Sequence, residues 1–333
     1  MRVADLTEEQ LLALIVPELP RGAATLVGPG DDAAVVAAPD GRFVVTTDVL
    51  VEDRHFRRRW SDGEDVGRRA AVQNLADVAA MGAVPTSLVV TLAVPGELDV
   101  AWVVGLARGL AATCAPLGVG VVGGDLSGSP VVVVSVAAHG DLQGRAPVLR
   151  SGARPGDVVA HAGTLGRSAA GLALLELDGG ARAGERGRSH ETRTELVAAY
   201  LRPQSPLAAG PEAARAGATA MLDVSDGLLR DAGRLARASG VRLDLSADAL
   251  AADVTALAPA ATAADVDPWA WVLGGGEDHG LLATFPRDAV PPPPFRVVGH
   301  VVARDEGDQR EPGVTLDGAA PSAAPGWDHF GGR

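Results

Sequence analysis

The sequence predicts two α/β domains of the α+β kind, and three features of the 333-residue chain carry that expectation. The length exceeds the roughly 250–300 residues at which a single core stops growing. The valine-rich strand signals are not separated one by one by helices, which argues against a doubly wound parallel sheet. A turn-rich joint, RAPVLRSGARPGD (145–157), interrupts the pattern before it restarts. The expected domains are therefore 1–143 and 144–333.

In chain order, valine-rich runs bounded by glycine, proline or aspartate predict strands near 33–37, 43–48, 86–94, 119–122 and 131–138. Asp62 is placed to cap a helix running to about Met81, with Gly82 as its stop. Asp99 is placed to cap a second helix running to about Leu117, ahead of Gly118. After the joint the pattern gives a strand at 158–161 and a helix at 167–177. The glycine-rich, polar stretch 178–195 reads as an exposed loop. Helices near 193–201 and 207–216, a strand at 219–222, a helix at 227–239 and a strand at 241–245 follow. HGLLATF reads as a further strand, PPPP (291–294) as a stiff surface segment, and 295–303 as a last strand.

Composition narrows the chemistry. No lysine is present, so all 29 basic side chains are arginine. That excludes a Walker A lysine, a protein-kinase strand lysine and any Schiff base. The net charge of −13 disfavours nucleic-acid backbones and anionic membranes as partners. The one cysteine, Cys114, forms no internal disulfide and reads as a buried thiol. The expected location is cytoplasmic: no secretory signal fits the N-terminus, and the apolar runs fall short of a membrane span.

Six acidic, glycine-flanked segments carry the functional signal: GPGDDAAVV (28–36), TTDVLVEDRHF (46–56), NLAD (74–77), GGDLS (123–127), DVSDGL (223–228) and GGGED (274–278). Thr46, Thr47 and Asp48 end a strand with oxygen donors suited to magnesium, or simply cap a turn. Asn74 and Asp77 share one face of an otherwise apolar helix. A buried acid there needs an arginine or a metal ion as partner. Asp223 and Asp226 flank a strand-to-helix turn, where helix N–H groups favour anions; an ordinary helix cap reads the same way. Taken together, the six segments point to phosphate chemistry neutralised by metal ions and arginine.

These segments, with LRSGARPGD, GTLGRSAAGLALL, YLRP and GWDHF, resemble thiamine-monophosphate kinases in order and spacing from about 28 to 330. Several are shared with a wider ATP-using superfamily that includes aminoimidazole ribonucleotide synthetase. The resemblance implies transfer of the ATP γ-phosphoryl group to thiamine monophosphate, with several Mg2+ ions and ATP as co-substrate. Carried over residue by residue, it implies metal ligation by Asp32, Thr46, Thr47, Asp48, Asp77, Asp125, Asp223 and Asp226. It implies ATP contacts at Gly124, Asp125, Arg150 and Ser225, and acceptor contacts at His55, Glu277 and Trp327. It also implies a homodimer formed through the N-terminal domain. No acid–base residue is implied, because the acceptor is an already ionised phosphate. A related superfamily enzyme and a non-catalytic divalent-ion scaffold are the alternatives.

Overall fold

The structure is a computed structural model describing residues 1–28, 34–177, 188–303, 313–324 and 326. It divides into two compact units, Met1–Val78 with Ala83–Gly144, and Ala79–Gly82 with Arg145–Arg333. Both units mix helices with largely antiparallel sheet, as the sequence predicts.

The first unit opens with α1 (Glu8–Ile15), β1 (Thr25–Val27) and β2 (Val35–Val36), a two-stranded pair. Then come β3 (Val44–Val51), α2 (Gly63–Ala80), β4 (Val84–Val94), α3 (Val100–Cys114), β5 (Gly120–Gly128) and β6 (Val133–Asp141). The four-stranded sheet has the order β3-β6-β4-β5, parallel only between β4 and β5. Those two strands are joined across α3, as a parallel pair requires. Pleating sorts β3 by parity: Thr46, Asp48 and Leu50 turn inward, whereas Val45, Thr47 and Val49 are exposed.

The start of α2 follows the expected cap and adds a partner. Asp62 Oδ1 accepts from Asp65 N at 2.9 Å, and Asp65 Oδ2 accepts from Asp62 N at 3.0 Å. This reciprocal arrangement satisfies donors at the open helix end. The start of α3 corrects the reading of Asp99, whose side chain makes no cap bond. It lies 2.9 Å from Arg2 instead. A second correction concerns apolar runs. Val100–Leu117 is long and apolar enough to cross a membrane by length and composition. In this fold Val103, Leu106, Leu110 and Cys114 of that helical stretch are buried in the unit's core.

The second unit contains β7 (Val158–Ala162), α4 (Arg167–Leu177), α5 (Arg188–Leu201), α6 (Ala209–Arg215), β8 (Ala220–Val224) and α7 (Leu228–Ser239). After them come β9 (Arg242–Leu245), α8 (Ala247–Ala264), α9 (Pro268–Gly274), β10 (Gly280–Phe285), β11 (Arg296–Val302) and β12 (Gly313–Leu316). The six-stranded sheet runs β12-β9-β11-β7-β10-β8. Only β12 and β9 pair in parallel.

One face of that sheet buries Ala160, Ala162, Met221, Leu281 and Ala283, closed by an edge-on contact between Phe285 and Phe295. Helix α5 begins five residues earlier than the pattern suggests, inside the stretch read as loop. Arg193 Nη2 ties it to α4 by donating to Leu174 O at 2.7 Å. The sequence reading assigns nothing to α1, α8 or α9. Helix α8 carries Pro259 in its interior and few stop signals, so local pattern hides it.

Candidate active site

In the first unit, β3 and α2 bring three of the expected residues together. Thr46 Oγ1 donates to Asp77 Oδ2 at 2.8 Å. Asn74, almost fully buried, donates its amide to Ala70 O at 2.9 Å and accepts from Asp48 N at 2.9 Å. Thus Asn74 pins the backbone of β3 to α2 and sets the register that joins Thr46 to Asp77. The partner of Asp77 seen here is a hydroxyl, where the sequence left arginine or metal open. Thr47 is placed apart: its side chain lies on the opposite face and donates to Val136 O at 2.9 Å.

Gly124 and Asp125 sit exposed on β5. A Cβ at Gly124 would stand 1.9 Å from Val90 O, so this position must be glycine for β5 to pair with β4. His55 follows a tight turn after β3 in which Val51 N donates to His55 Nδ1 at 3.0 Å. The turn's acid, Glu52, is engaged by Arg58 and by Val132 N at 2.9 Å, not by His55.

In the second unit, β8 ends at Val224 and α7 starts at Leu228, so Asp223, Ser225 and Asp226 line the turn between them. Asp226 Oδ2 accepts from Arg234 Nη2 at 2.6 Å, and Arg234 Nη1 reaches Asp231 Oδ1 at 2.5 Å. Asp231 Oδ2 also accepts from Asp226 N at 2.9 Å. Burial pushes the Asp231 carboxyl up to about 6, against the bond from Asp226 N and with the push of Asp223.

The glycine loop after α9 closes over this turn. Glu277 N donates to Ser225 O at 2.7 Å and His279 N donates to Val224 O at 3.1 Å. Asp278 is buried and accepts from Thr164 Oγ1 at 2.9 Å and Ser168 N at 3.3 Å. Burial raises its carboxyl to about 6 despite those bonds. Burial also works against a charged His279, but the flanking carboxylates of Asp223 and Glu277 outweigh it and raise the imidazole to about 10. Arg150 is exposed, and its carbonyl accepts from Ser239 Oγ at 3.0 Å.

Asp32 and Trp327 lie outside the described residues. The residue before Trp327 is described: a Cβ at Gly326 would be 2.2 Å from Asp226 O. Gly326 therefore lies against the 223–228 turn. Sequence reasoning missed Asp231, Arg234 and His279 as members of this set. The spacing of Asp226, Arg230 and Arg234 at helical intervals was the available signal; the burial of His279 had none.

The donor sets fit magnesium. They are hard oxygens from carboxylates and hydroxyls, with one or two carboxylates at each place. Among the described residues, no group of three or more His, Cys, Asp or Glu side chains is arranged to hold an ion alone. Magnesium habitually completes its octahedron with water and substrate phosphate, so such sparse sets are what a phosphate-borne ion needs.

Comparison with known proteins finds relatives along most of the chain. Residues 30–142 match the AIR synthase related protein N-terminal domain, and residues 154–308 match its C-terminal domain. A thiamine-monophosphate kinase of Mycobacterium tuberculosis is 50% identical over 321 residues, covering 95% of this chain and 91% of that protein. One from Corynebacterium glutamicum is 40% identical, covering 90% of this chain and 88% of that protein. Among solved structures, AaThiL complexed with AMPPCP and TMP is 32% identical with a TM-score of 0.76, covering 99% of each chain. With that identity sustained from end to end, the chain belongs to the thiamine-monophosphate kinase family, within the AIR synthase related proteins.

Proposed function

We propose that this protein transfers the γ-phosphoryl group of ATP to thiamine monophosphate, giving thiamine diphosphate. The observation that carries the reading is the pair of carboxylate sets, one on β3 and α2, the other on the β8–α7 turn, in a chain with no lysine. Phosphoryl transfer passes through a loose transition state, so positioning and charge neutralisation dominate. The acceptor is an ionised phosphate and needs no general base.

In this reading Asp48, Asp77 and Thr46 hold magnesium at β3 and α2 of the first unit, and Asp125 does so separately on β5, while the Thr47 hydroxyl is turned away to Val136 O. Asp223 and Asp226 do so in the second, and Asp32 belongs to the same group. Magnesium, when bound, withdraws charge from phosphate oxygens and offsets the repulsion between two anions. Gly124 allows close backbone approach by the nucleotide, and Ser225 and Arg150 supply polar contacts to ATP. His55 presents Nε2 to the acceptor, because Nδ1 is taken by Val51 N. Glu277 faces the acceptor's cationic or amine groups, and Trp327 stacks on its ring.

The protein acts as a homodimer in the cytoplasm. Support for the dimer is the apolar outer face of β3, where Val45 is 59% and Val49 42% exposed, beside Phe43 at 61%. Such a strand edge and face call for cover. The decisive test is a coupled assay for thiamine diphosphate from thiamine monophosphate, ATP and magnesium. Turnover with both substrates is expected. Magnesium binding without turnover or ATP binding points to a scaffold and overturns the reading.

A further inference from the structure

Ser239 is the last residue of α7, and its hydroxyl is spent entirely on a distant loop. It donates to Arg150 O at 3.0 Å and accepts from Gly152 N at 3.1 Å and Ala153 N at 3.2 Å. A hydroxyl has one proton and two lone pairs, so these three bonds exhaust it. Its partners lie 86 to 89 residues earlier in the chain, so no local turn accounts for the choice.

The same loop is held at other points along its backbone. Met221 N of β8 donates to Leu149 O at 3.0 Å. Arg154 N donates to Asp157 Oδ2 at 2.9 Å, and that carboxylate also takes the Thr219 hydroxyl at 2.7 Å. Gly152 has φ 141°, and a Cβ there would stand 2.3 Å from Thr219 O. Only glycine lets the loop pass the entry to β8 this closely.

What this fixed backbone presents is the Arg150 side chain. It is exposed, and among the described residues it makes no ion pair. The bonds from Ser239 and Met221 go to main-chain atoms, so the guanidinium stays available while its root is held. A group on a mobile loop loses conformational freedom when it binds; a group on a fixed root has lost most of it already.

We infer that Ser239 is a positioning residue for the nucleotide: it fixes the backbone under Arg150 and so sets the affinity for ATP. The inference rests on the kinase reading and on Arg150 as an ATP contact. Glu277, the acceptor contact described in the same unit, is bonded to Ser225 at the opposite end of α7. The loss therefore falls on ATP.

Ser239→Ala removes the hydroxyl without changing charge, and Ser239→Thr keeps it. Binding of a non-hydrolysable ATP analogue with magnesium is measured by calorimetry, and Michaelis constants for both substrates by the coupled assay. Ser239→Ala should weaken analogue binding about tenfold, the scale of re-ordering one backbone residue on binding. The Michaelis constant for thiamine monophosphate should stay within about twofold, as for a distant and independent site. Ser239→Thr should stay within about threefold of the wild type in analogue binding. In an Arg150→Gln background, Ser239→Ala should add less than about twofold, because the group it positions is gone. Gly152→Ala loosens the loop from its other side, against Thr219 O, and should act as Ser239→Ala does.

Unchanged analogue affinity in Ser239→Ala, equal loss toward both substrates, or a loss of the same size in the Arg150→Gln background overturns the inference. Should Ser239→Ala not fold, Gly152→Ala and its combination with Arg150→Gln decide alone. If the wild type makes no thiamine diphosphate, the kinase reading itself falls. If it does and the loss is independent of Arg150, only the role of Ser239 falls.

Discussion

The two carboxylate sets are balanced in different ways. On β3 and α2, Asp77 takes a hydroxyl from Thr46, and Asn74 secures the backbone at Asp48. On the β8–α7 turn, Asp226 and Asp231 share the guanidinium of Arg234, and Asp223 faces His279. In the first set the partners at these atoms are neutral, a hydroxyl at Asp77 and a side-chain amide at the Asp48 backbone. The second carries internal cations, which lets Asp223 and Asp226 of the turn stand close to Asp231 of α7. In the second set the guanidinium stabilises the fold around acids of which one, Asp226, the proposed function also assigns to magnesium. The two sets should therefore fail differently when broken.

The largest expected effect is on turnover, in the first set. Asp77→Asn keeps an acceptor for Thr46 but removes the charge. Outer-shell changes at metal sites already cost about 10–100-fold. Activity should thus fall at least about a hundredfold, with an unchanged circular dichroism spectrum. Near-normal turnover at low magnesium would sink this assignment.

The second set should lose stability first. Arg234→Met strands Asp231, whose side chain is 2% exposed, beside Asp226. Breaking a fully buried pair costs about 3–5 kcal/mol. Arg234 is 32% exposed, so screening lowers the expectation to about 2 kcal/mol in urea unfolding. A loss below about 0.5 kcal/mol would show that water already neutralises this turn.

A pair of histidines in the same unit sharpens the contrast through pH. Burial, aided by the charge of Arg296, lowers His161 from 6.5 to about 3. The unfolded chain then takes up a proton that the folded chain refuses. Stability falls as pH drops from 6.5 toward about 3, and His161→Leu should flatten that limb. His279 has the opposite sign. Raised to about 10, it contributes stability that is full below 6.5 and lost as pH rises through about 10. Unfolding free energies across pH check both limbs. An acid limb unchanged in His161→Leu refutes the first.

The smallest effect on chemistry is expected at the outer face of β3. Val49→Lys leaves the inward-facing Thr46 and Asp48 in place but puts a charge on the apolar surface. Light scattering at micromolar concentration should show a dimer for the wild type and a shift toward monomer for the variant. A monomeric wild type refutes the dimer outright.

Much of this was legible in the chain. Valine runs broken by glycine and aspartate mark most strands, because the signals for strand and turn are local. Asp223 at the end of β8 was legible for the same reason, and so was the need for cations in a lysine-free chain; Asp48 and Asp125, expected at strand ends, lie instead inside β3 and β5, because pairing in the sheet extends those strands past the acids. Helices α1, α8 and α9 were not, since short or proline-interrupted stretches hold their shape through packing.

Local pattern also could not decide which neighbours meet. It set Thr46 and Thr47 side by side; the pleat of β3 against α2 turned one toward Asp77 and the other toward Val136. It named Asp226 and Glu277, but Arg234 and His279 were assigned to them only when β8, α7 and the glycine loop closed on one another. The sequence by itself determined which charges exist and which segments carry them. Tertiary structure alone decided how each is neutralised, because electrostatic energy depends on distance and burial, and neither is a property of position along the chain.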